Sequence, residues 1–517
     1  MYIVHIASEL APVAKVGGLA DVLYGLSKEQ VRLGHTVEII LPKYDCMHFD
    51  QLQNLKVEFR ELWSFDGPDR YNNTIWSANI DGLRVLLVEP HHPQYFFSRG
   101  VIYGCHDDID RFTYFSRTAI EYLFKAGKQP DILHVHDWPT AAVPLLYKEM
   151  YTALGYKVGG TVLTIHNMEH QGRCHPSILN RIGLRGENYL SPDKMQDPSM
   201  PNLLNLLKGG IETADRVTTV SPNYEKEVQT PEGGFGLQDV LVQNRRKLKG
   251  ILNGIDEEFW NPELDRFLIE KYATHALTSE AQVEQMLERK AENKKQLRTH
   301  LGLKNDNAPI VAAVTRLVPQ KGPHLIKHAL TRTLGKGGQF VLLGSSPIPA
   351  MHQEFEELQR HYQESGQAAV LLDKDEALAH LIFAAADMLI IPSLFEPCGL
   401  TQMIALRYGT VPIARRTGGL ADTVFDVDTS LKPLLERNGY TFDFPDAEGV
   451  NWALDRALHD FKSERKKWLA LLMHGMRVDF SWKHAAPEYL SLYQEAIQKN
   501  AKSKSKNATT PKILKIS

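Results

Sequence analysis

Several short stretches of this chain put reactive side chains at the ends of apolar runs. Residues 387–401 lead from an apolar strand ending at Pro392 into a loop that sets one carboxylate, Glu396, ahead of Cys398 and Gly399. Gly399, Leu400 and Thr401 read as the opening of an amphipathic helix through Met403, Ile404 and Leu406. Free amides at a helix start suit an anion, and a carboxylate one loop away suits hydroxyls or a developing positive charge. Together they fit a sugar joined to a phosphate. The plainer alternative is a structural corner with a solvated glutamate.

A second corner follows the strand-like run Tyr2–Ala7, where Lys15 stands shortly before Gly17 and Gly18 at a helix start. An ammonium beside close-approaching glycine backbone is a reasonable phosphate site; a surface lysine beside a tight turn is the alternative. The same five residues, Gly-Gly-Leu-Ala-Asp, recur at Gly418 and Gly419 after the strand-like Val411–Ala414, which predicts two related α/β halves. Arg316 and Lys321 bracket a short loop after a third apolar run. A planar guanidinium and a compact ammonium can together neutralise a departing diphosphate, the alternative being salt-bridged surface cations.

His134 and His136 alternate along a strand and share a face, with Asp137 next, while His166 and Asn167 end another strand. Residues at the carboxyl ends of parallel strands line ligand crevices, which makes Asp137 and His166 candidates for substrate contact. Metal ligation by His134, His136 and Asp137 is the competing use. The spacing signposts no third partner, so the expectation is a hydrogen-bonded structural role and no metal.

The strands and helices that carry these groups follow from the hydrophobic pattern. Strand-like runs at residues 37–41, 132–136, 162–166 and 216–220 alternate with helical periodicity, which implies parallel sheets. The alternation stops after residue 256 for a polar, helix-prone stretch near 280–300 and resumes at 309–315. That break predicts a domain boundary, with later strands at 340–343, 369–372 and 388–391. The lysine-, serine- and threonine-rich end is read as a disordered basic tail.

A chain of 517 residues, 43% hydrophobic and 23% charged, can bury two large cores. Its net charge of −3 supplies no basic field to recruit nucleic acid. Four cysteines, Cys46, Cys105, Cys174 and Cys398, contain no Cys-x-x-Cys pair, which argues against a disulfide scaffold or zinc module. A core strand begins at residue 2 and no apolar run spans a bilayer, so a cytoplasmic location without a membrane partner is expected.

These residues closely resemble the bacterial glycogen synthase and plant starch synthase family over nearly the whole chain. The resemblance rests on Lys15 to Leu19, His136-Asp137-Trp138, Thr164 to Asn167, Val220-Ser221-Pro222, Asn253 to Asp256, Arg316 with Lys321, Phe395 to Gln402, and Thr417 to Leu420. Val16, where many members carry threonine, and Leu41 to Cys46 are similar to the starch synthase III and IV branch. The resemblance implies a GT-B fold of class α/β, with two Rossmann-like doubly wound domains facing a deep cleft. The implied domains are residues 1–255 for the glucan acceptor and 256–480 for the nucleotide sugar. A helix over 481–498 would cross back to the first domain, ahead of the tail at 499–517.

By the same resemblance, the enzyme moves glucose from ADP-glucose to the non-reducing 4-hydroxyl of an α-1,4-glucan or maltooligosaccharide, with retention and without a metal or other cofactor. Glu396, Asp137, His166, Arg316 and Lys321 would be catalytic. Lys15, Gly18, Asn253, Cys398, Gly399, Leu400, Thr401, Gly418 and Gly419 would bind substrate. Two other classes share the architecture. A sugar-nucleotide epimerase gains no support from the Lys15 corner, and an inactive glucan-binding subunit would be expected to have lost the charged residues that remain here.

Overall fold

The computed structural model describes residues 1–274 and 277–508, and the chain divides into two compact units. The first runs from Met1 to Gly254 and regains the chain from Trp482 onward; the second is Ile255–Ser481.

The strands of the first unit are Tyr2–Ile6 (β1), Thr36–Pro42 (β2), Gln53–Asp66 (β3), Asp69–Ile80 (β4), Leu83–Pro90 (β5), Ile132–His136 (β6) and Gly160–Ile165 (β7). Then come a two-residue pair, Arg173–Cys174 (β8) with Leu204–Asn205 (β9), and the strands Arg216–Thr219 (β10) and Leu248–Gly250 (β11). Nine of them form one sheet in the order β11-β10-β7-β6-β1-β2-β5-β4-β3. The central strands are parallel and buried along their length, as continuous apolar runs covered on both faces must be.

The parallel sheet expected for the first unit carries an antiparallel edge that the alternation did not signal. β3 and β4 form a long antiparallel hairpin at the sheet edge, turning at Gly67, whose φ of +65° suits the first central position of a two-residue turn. Along β3 most side chains are exposed, so the apolar run that signals a buried strand is missing there.

The second unit's sheet is built from Ile310–Val314 (β12), Gln339–Leu343 (β13), Ala368–Leu371 (β14), Met388–Ile391 (β15), Val411–Arg415 (β16) and Tyr440–Phe442 (β17). Its order is β14-β13-β12-β15-β16-β17, and every pairing is parallel. Each sheet has a point where the chain crosses to the other side, between β1 and β6 in the first unit and between β12 and β15 in the second. Such switch points open a crevice at the carboxyl ends of the strands.

The polar stretch between the two patterns is the helix Glu280–Leu301. A reciprocal capping box between Ser279 and Gln282 opens it, and Gly302 in the left-handed region closes it.

The C-terminal helix Trp482–Ala508 lies in the first unit. It packs on the helix Gly18–Arg32 and on β7, where two glycines leave room for it. A Cβ built on Gly25 would fall 2.0 Å from Trp482 Nε1, and one on Gly160 would fall 2.8 Å from Ala496 Cβ. Asn500 closes the contact by donating to Gly159 O at 3.0 Å and to Asp215 Oδ2 at 2.8 Å.

Gly25→Ala is therefore expected to destabilise the protein by about 1–3 kcal/mol through overpacking, read as a lower urea midpoint. An unchanged midpoint would show that the helix yields without cost.

The basic tail is corrected in part, because the helix continues through residues 499–508 instead of stopping near 498. The rest of that tail, 509–517, lies outside the described residues. No helix among the described residues is long and apolar enough to cross a membrane.

Candidate functional site

In the second unit, Arg316 follows β12, Glu396 follows β15 and Gly418 follows β16, so adjacent parallel strands deliver all three to one sheet edge. Glu396 is buried, and its Oε2 accepts from Lys321 Nζ at 2.5 Å and from Ser393 Oγ at 2.8 Å. Lys321 reaches it from a short 3₁₀ turn, Pro319–Lys321, closed by Gly322 at φ +63°. Arg316 is exposed, and its guanidinium has no partner among the described residues.

The helix expected to open at Gly399 begins two residues later, as Thr401–Arg407. Gly399 has φ +74°, a left-handed conformation that cannot continue into a right-handed helix, so it belongs to the loop. Leu400 is the N-cap and supplies no side-chain acceptor, which leaves the first amides of the helix uncapped. Cys398 is buried, and its carbonyl accepts from Gln402 Nε2 at 3.1 Å.

The repeated glycine corner has a geometric reason on this side. A Cβ on Gly418 would stand 1.8 Å from Glu396 O, and one on Gly419 would stand 2.2 Å from Cys398 O. Gly419 N also donates to Glu396 O at 3.0 Å. The glycines thus let the β16 loop seat directly against the backbone that carries Glu396.

In the first unit the same five residues serve differently, with the helix starting at the second glycine, Gly18, and Gly17 as its N-cap. Space beside Gly17 is open, since a Cβ there would meet nothing within 4 Å. The amides of Val16 and Gly17 are taken by an internal anion: Glu9 Oε2 accepts from them at 2.7 and 2.8 Å. Glu9 Oε1 in turn accepts from Tyr103 Oη at 2.8 Å. Lys15 pairs with Asp21 at 2.7 Å, and both side chains are substantially exposed. An exposed pair of this kind is worth little and can exchange its partner for a phosphate.

β1, β6 and β7 are adjacent, and this places Asp137 and His166 at the same edge as the Glu9 loop. Asp137 sits at φ +56°, uncommon for a residue with a side chain, and its Oδ1 accepts from the amides of His166 at 2.6 Å and Asn167 at 3.4 Å. Burial pushes its carboxyl up to about 7, against the opposing pull of those amides and with a small further push from Glu9.

The folded protein therefore holds this proton more tightly than the unfolded chain, whose carboxyl titrates at 3.8. The stabilising effect is full below about 3.8 and is lost as the pH rises to about 7. Thermal midpoints should fall across this window in the wild type, and the fall should be smaller in Asp137→Asn. Parallel curves for the two proteins would assign the dependence elsewhere.

His134 and His136 gain the third histidine that spacing did not signpost. His5 on β1 brings the ligand atoms of all three within 4.8 Å of one another. Every ring nitrogen of the trio already has a partner: His5 Nδ1 meets His136 Nε2 at 3.1 Å, and His5 Nε2 meets Gln30 Oε1 at 2.9 Å. His134 bridges Tyr493 Oη at 2.8 Å and Thr164 Oγ1 at 2.7 Å, and His136 Nδ1 meets His166 Nε2 at 3.0 Å. Burial drives the four imidazoles toward the neutral form, His166 down to about 3 and His5 to about 4. His134 and His136 lie well below the ordinary value. The arrangement is a hydrogen-bonded network.

Asn253 is buried near the end of the first unit, with its Oδ1 unpartnered among the described residues. The sequence reading missed Glu9, His5, Gln30, Ser393 and Tyr493. A histidine inside the strand Tyr2–Ile6 was the available signal that His5 joins His134 and His136 in the network.

The family described as starch synthase catalytic domain matches residues 2–243, and glycosyl transferases group 1 matches residues 294–468. A glycogen synthase from Protochlamydia amoebophila is 52% identical over 500 residues, covering 97% of this chain and all of that protein. A probable starch synthase 4 from Arabidopsis thaliana is 48% identical over 96% of this chain, which spans 47% of that longer protein. The catalytic domain of starch synthase IV from Arabidopsis thaliana, solved bound to ADP and acarbose, superposes with a TM-score of 0.92 at 48% identity. It covers 96% of this chain and 99% of its own. A sucrose-phosphate synthase from Thermosynechococcus elongatus, 18% identical with a TM-score of 0.59, shares the fold.

Proposed function

The chain belongs to the glycogen and starch synthase family of GT-B glucosyltransferases, and from that premise we propose how its residues elongate an α-1,4-glucan with glucose from ADP-glucose. The observation that carries the reading lies in the second unit. Glu396, paired with Lys321, lies in the loop that leads into the uncapped start of the helix Thr401–Arg407, with exposed Arg316 following the neighbouring strand.

Arg316, Lys321 and the amides of Gly399, Leu400 and Thr401 would hold the diphosphate, with Cys398, Gly418 and Gly419 shaping the backbone around it. Glu396 would bind glucose hydroxyls and stabilise positive charge growing at the anomeric carbon. In the first unit, Asp137 and His166 are assigned to sugar hydroxyls, Lys15 and Gly18 to phosphate, and Asn253 to substrate.

In the step itself, the acceptor's 4-hydroxyl oxygen bonds to the anomeric carbon as the bond to the diphosphate oxygen breaks. The departing phosphate takes the hydroxyl proton. Attack from the leaving-group face retains configuration and requires no covalent nucleophile from the protein. Fixed cations and helix amides supply the charge that a divalent ion would otherwise bring, so the reading includes no metal or other cofactor. A cytoplasmic location is part of the same proposal.

Incubation with ADP-[14C]glucose and glycogen tests it. Label is expected in alcohol-insoluble polymer. Label released as free sugar would favour an epimerase, and unchanged ADP-glucose with retained glycogen binding would favour an inactive glucan-binding subunit.

A further inference from the structure

Beneath half-buried His166 runs a continuous series of hydrogen bonds to the C-terminal helix, buried from His136 inward. His166 Nε2 meets His136 Nδ1 at 3.0 Å, His136 Nε2 meets His5 Nδ1 at 3.1 Å, and His5 Nε2 meets Gln30 Oε1 at 2.9 Å. Gln30 Nε2 then donates to Tyr493 Oη at 3.0 Å. His5, Gln30, His136 and Tyr493 are each fully buried, so water cannot substitute at these links.

A neutral imidazole has one donor nitrogen and one acceptor nitrogen, and a glutamine amide has one end of each kind. In a series of neutral rings, fixing one proton therefore fixes all the others. Tyr493 Oη, which also meets His134 Nδ1 at 2.8 Å, receives the NH₂ end of Gln30 and leaves the amide oxygen facing His5. His5 must then carry its proton on Nε2, so its Nδ1 accepts from His136 Nε2–H. His136 Nδ1 in turn accepts from His166 Nε2–H.

We infer that Gln30, acting through His5 and His136, is a positioning residue that holds His166 as the Nε2–H tautomer with a bare Nδ1 lone pair directed at substrate. His166 is half-buried, and its Nδ1 has no partner among the described residues. A group of this kind accepts a hydrogen bond from a sugar hydroxyl and cannot donate one. The inference rests on the proposed role of His166 at the sugar and extends it to the direction of the hydrogen bond.

The first test is the imidazole 15N spectrum of the ligand-free wild-type protein, with His166 assigned by comparison with His166→Gln. The expected result is a single neutral Nε2–H tautomer. An Nδ1–H tautomer would mean that the Gln30 amide is reversed and every proton runs the other way, which overturns the inference.

Gln30→Leu removes the fixed end of the series, and in this variant His166 should show a mixture of both tautomers. Persistence of pure Nε2–H in folded Gln30→Leu would also overturn it. If that variant does not fold, the wild-type spectrum still decides the direction. Among donor analogues with single hydroxyls replaced by fluorine, which accepts but does not donate, the one altered opposite His166 should bind about tenfold more weakly to wild type. It should lose this penalty in Gln30→Leu. Failure of the functional reading would appear separately, as absent glucosyl transfer with the Nε2–H spectrum intact.

Discussion

Glu396→Gln is expected to lower kcat by about 10²-fold or more while changing KM for the donor only slightly. The substitution keeps the shape, and the amide oxygen can still accept from Ser393 Oγ, so the loop should hold its conformation. What disappears is the negative charge at a buried position 2.5 Å from Lys321 Nζ. Charge placed where positive charge develops acts chiefly in the transition state, so its removal appears in turnover before it appears in binding. Steady-state kinetics on a variant with a wild-type circular dichroism spectrum checks this. Near-normal turnover would remove Glu396 from the mechanism.

The second large effect concerns the cations. Arg316→Ala/Lys321→Ala should lower glucosyl transfer by about 10³-fold or more, because it deletes the charge assigned to the leaving diphosphate. Part of that loss comes through Lys321, whose removal also leaves the buried Glu396 without its counter-charge, so Arg316→Ala alone is the cleaner measure of charge at the diphosphate. Wild-type activity should survive exhaustive EDTA treatment, and magnesium should not rescue the double variant. If chelation stops the wild-type enzyme and magnesium alone restores it, a metal ion carries the charge and the cation clamp is wrong.

Residues that stand beyond the ends of apolar strands were legible without coordinates, because a buried parallel strand announces itself as a continuous apolar run and the residues after it line the crevice. Arg316, Glu396, Asp137 and His166 were found in this way, and the structure sets each at the carboxyl end of its strand. The break near residues 280–300 was visible for a similar reason, since a long polar helix with its own capping residues interrupts the alternation. The exposed hairpin β3–β4 was not visible, because an edge strand facing water has no need of an apolar run.

Partnerships across long separations belong to the tertiary structure alone. Nothing local tells Glu9 that it will fill the amides of Val16 and Gly17, or Gly25 that it will lie under Trp482. The two Gly-Gly-Leu-Ala-Asp corners show the limit most directly. One keeps an open space beside Gly17, while the other is pressed against the backbone of Glu396 and Cys398. Identical residues gave both, so the difference comes from what the rest of the fold brings against them. The histidine network follows the same rule: alternation put His134 and His136 on one face, but only the pairing of β1 with β6 and the docking of the C-terminal helix supplied His5 and Tyr493. Burial periodicity along the chain is enough to say which side chains stand at the strand ends. The tertiary structure decided which of them meet, because hydrogen-bond direction and close approach are set by neighbours distant in the chain.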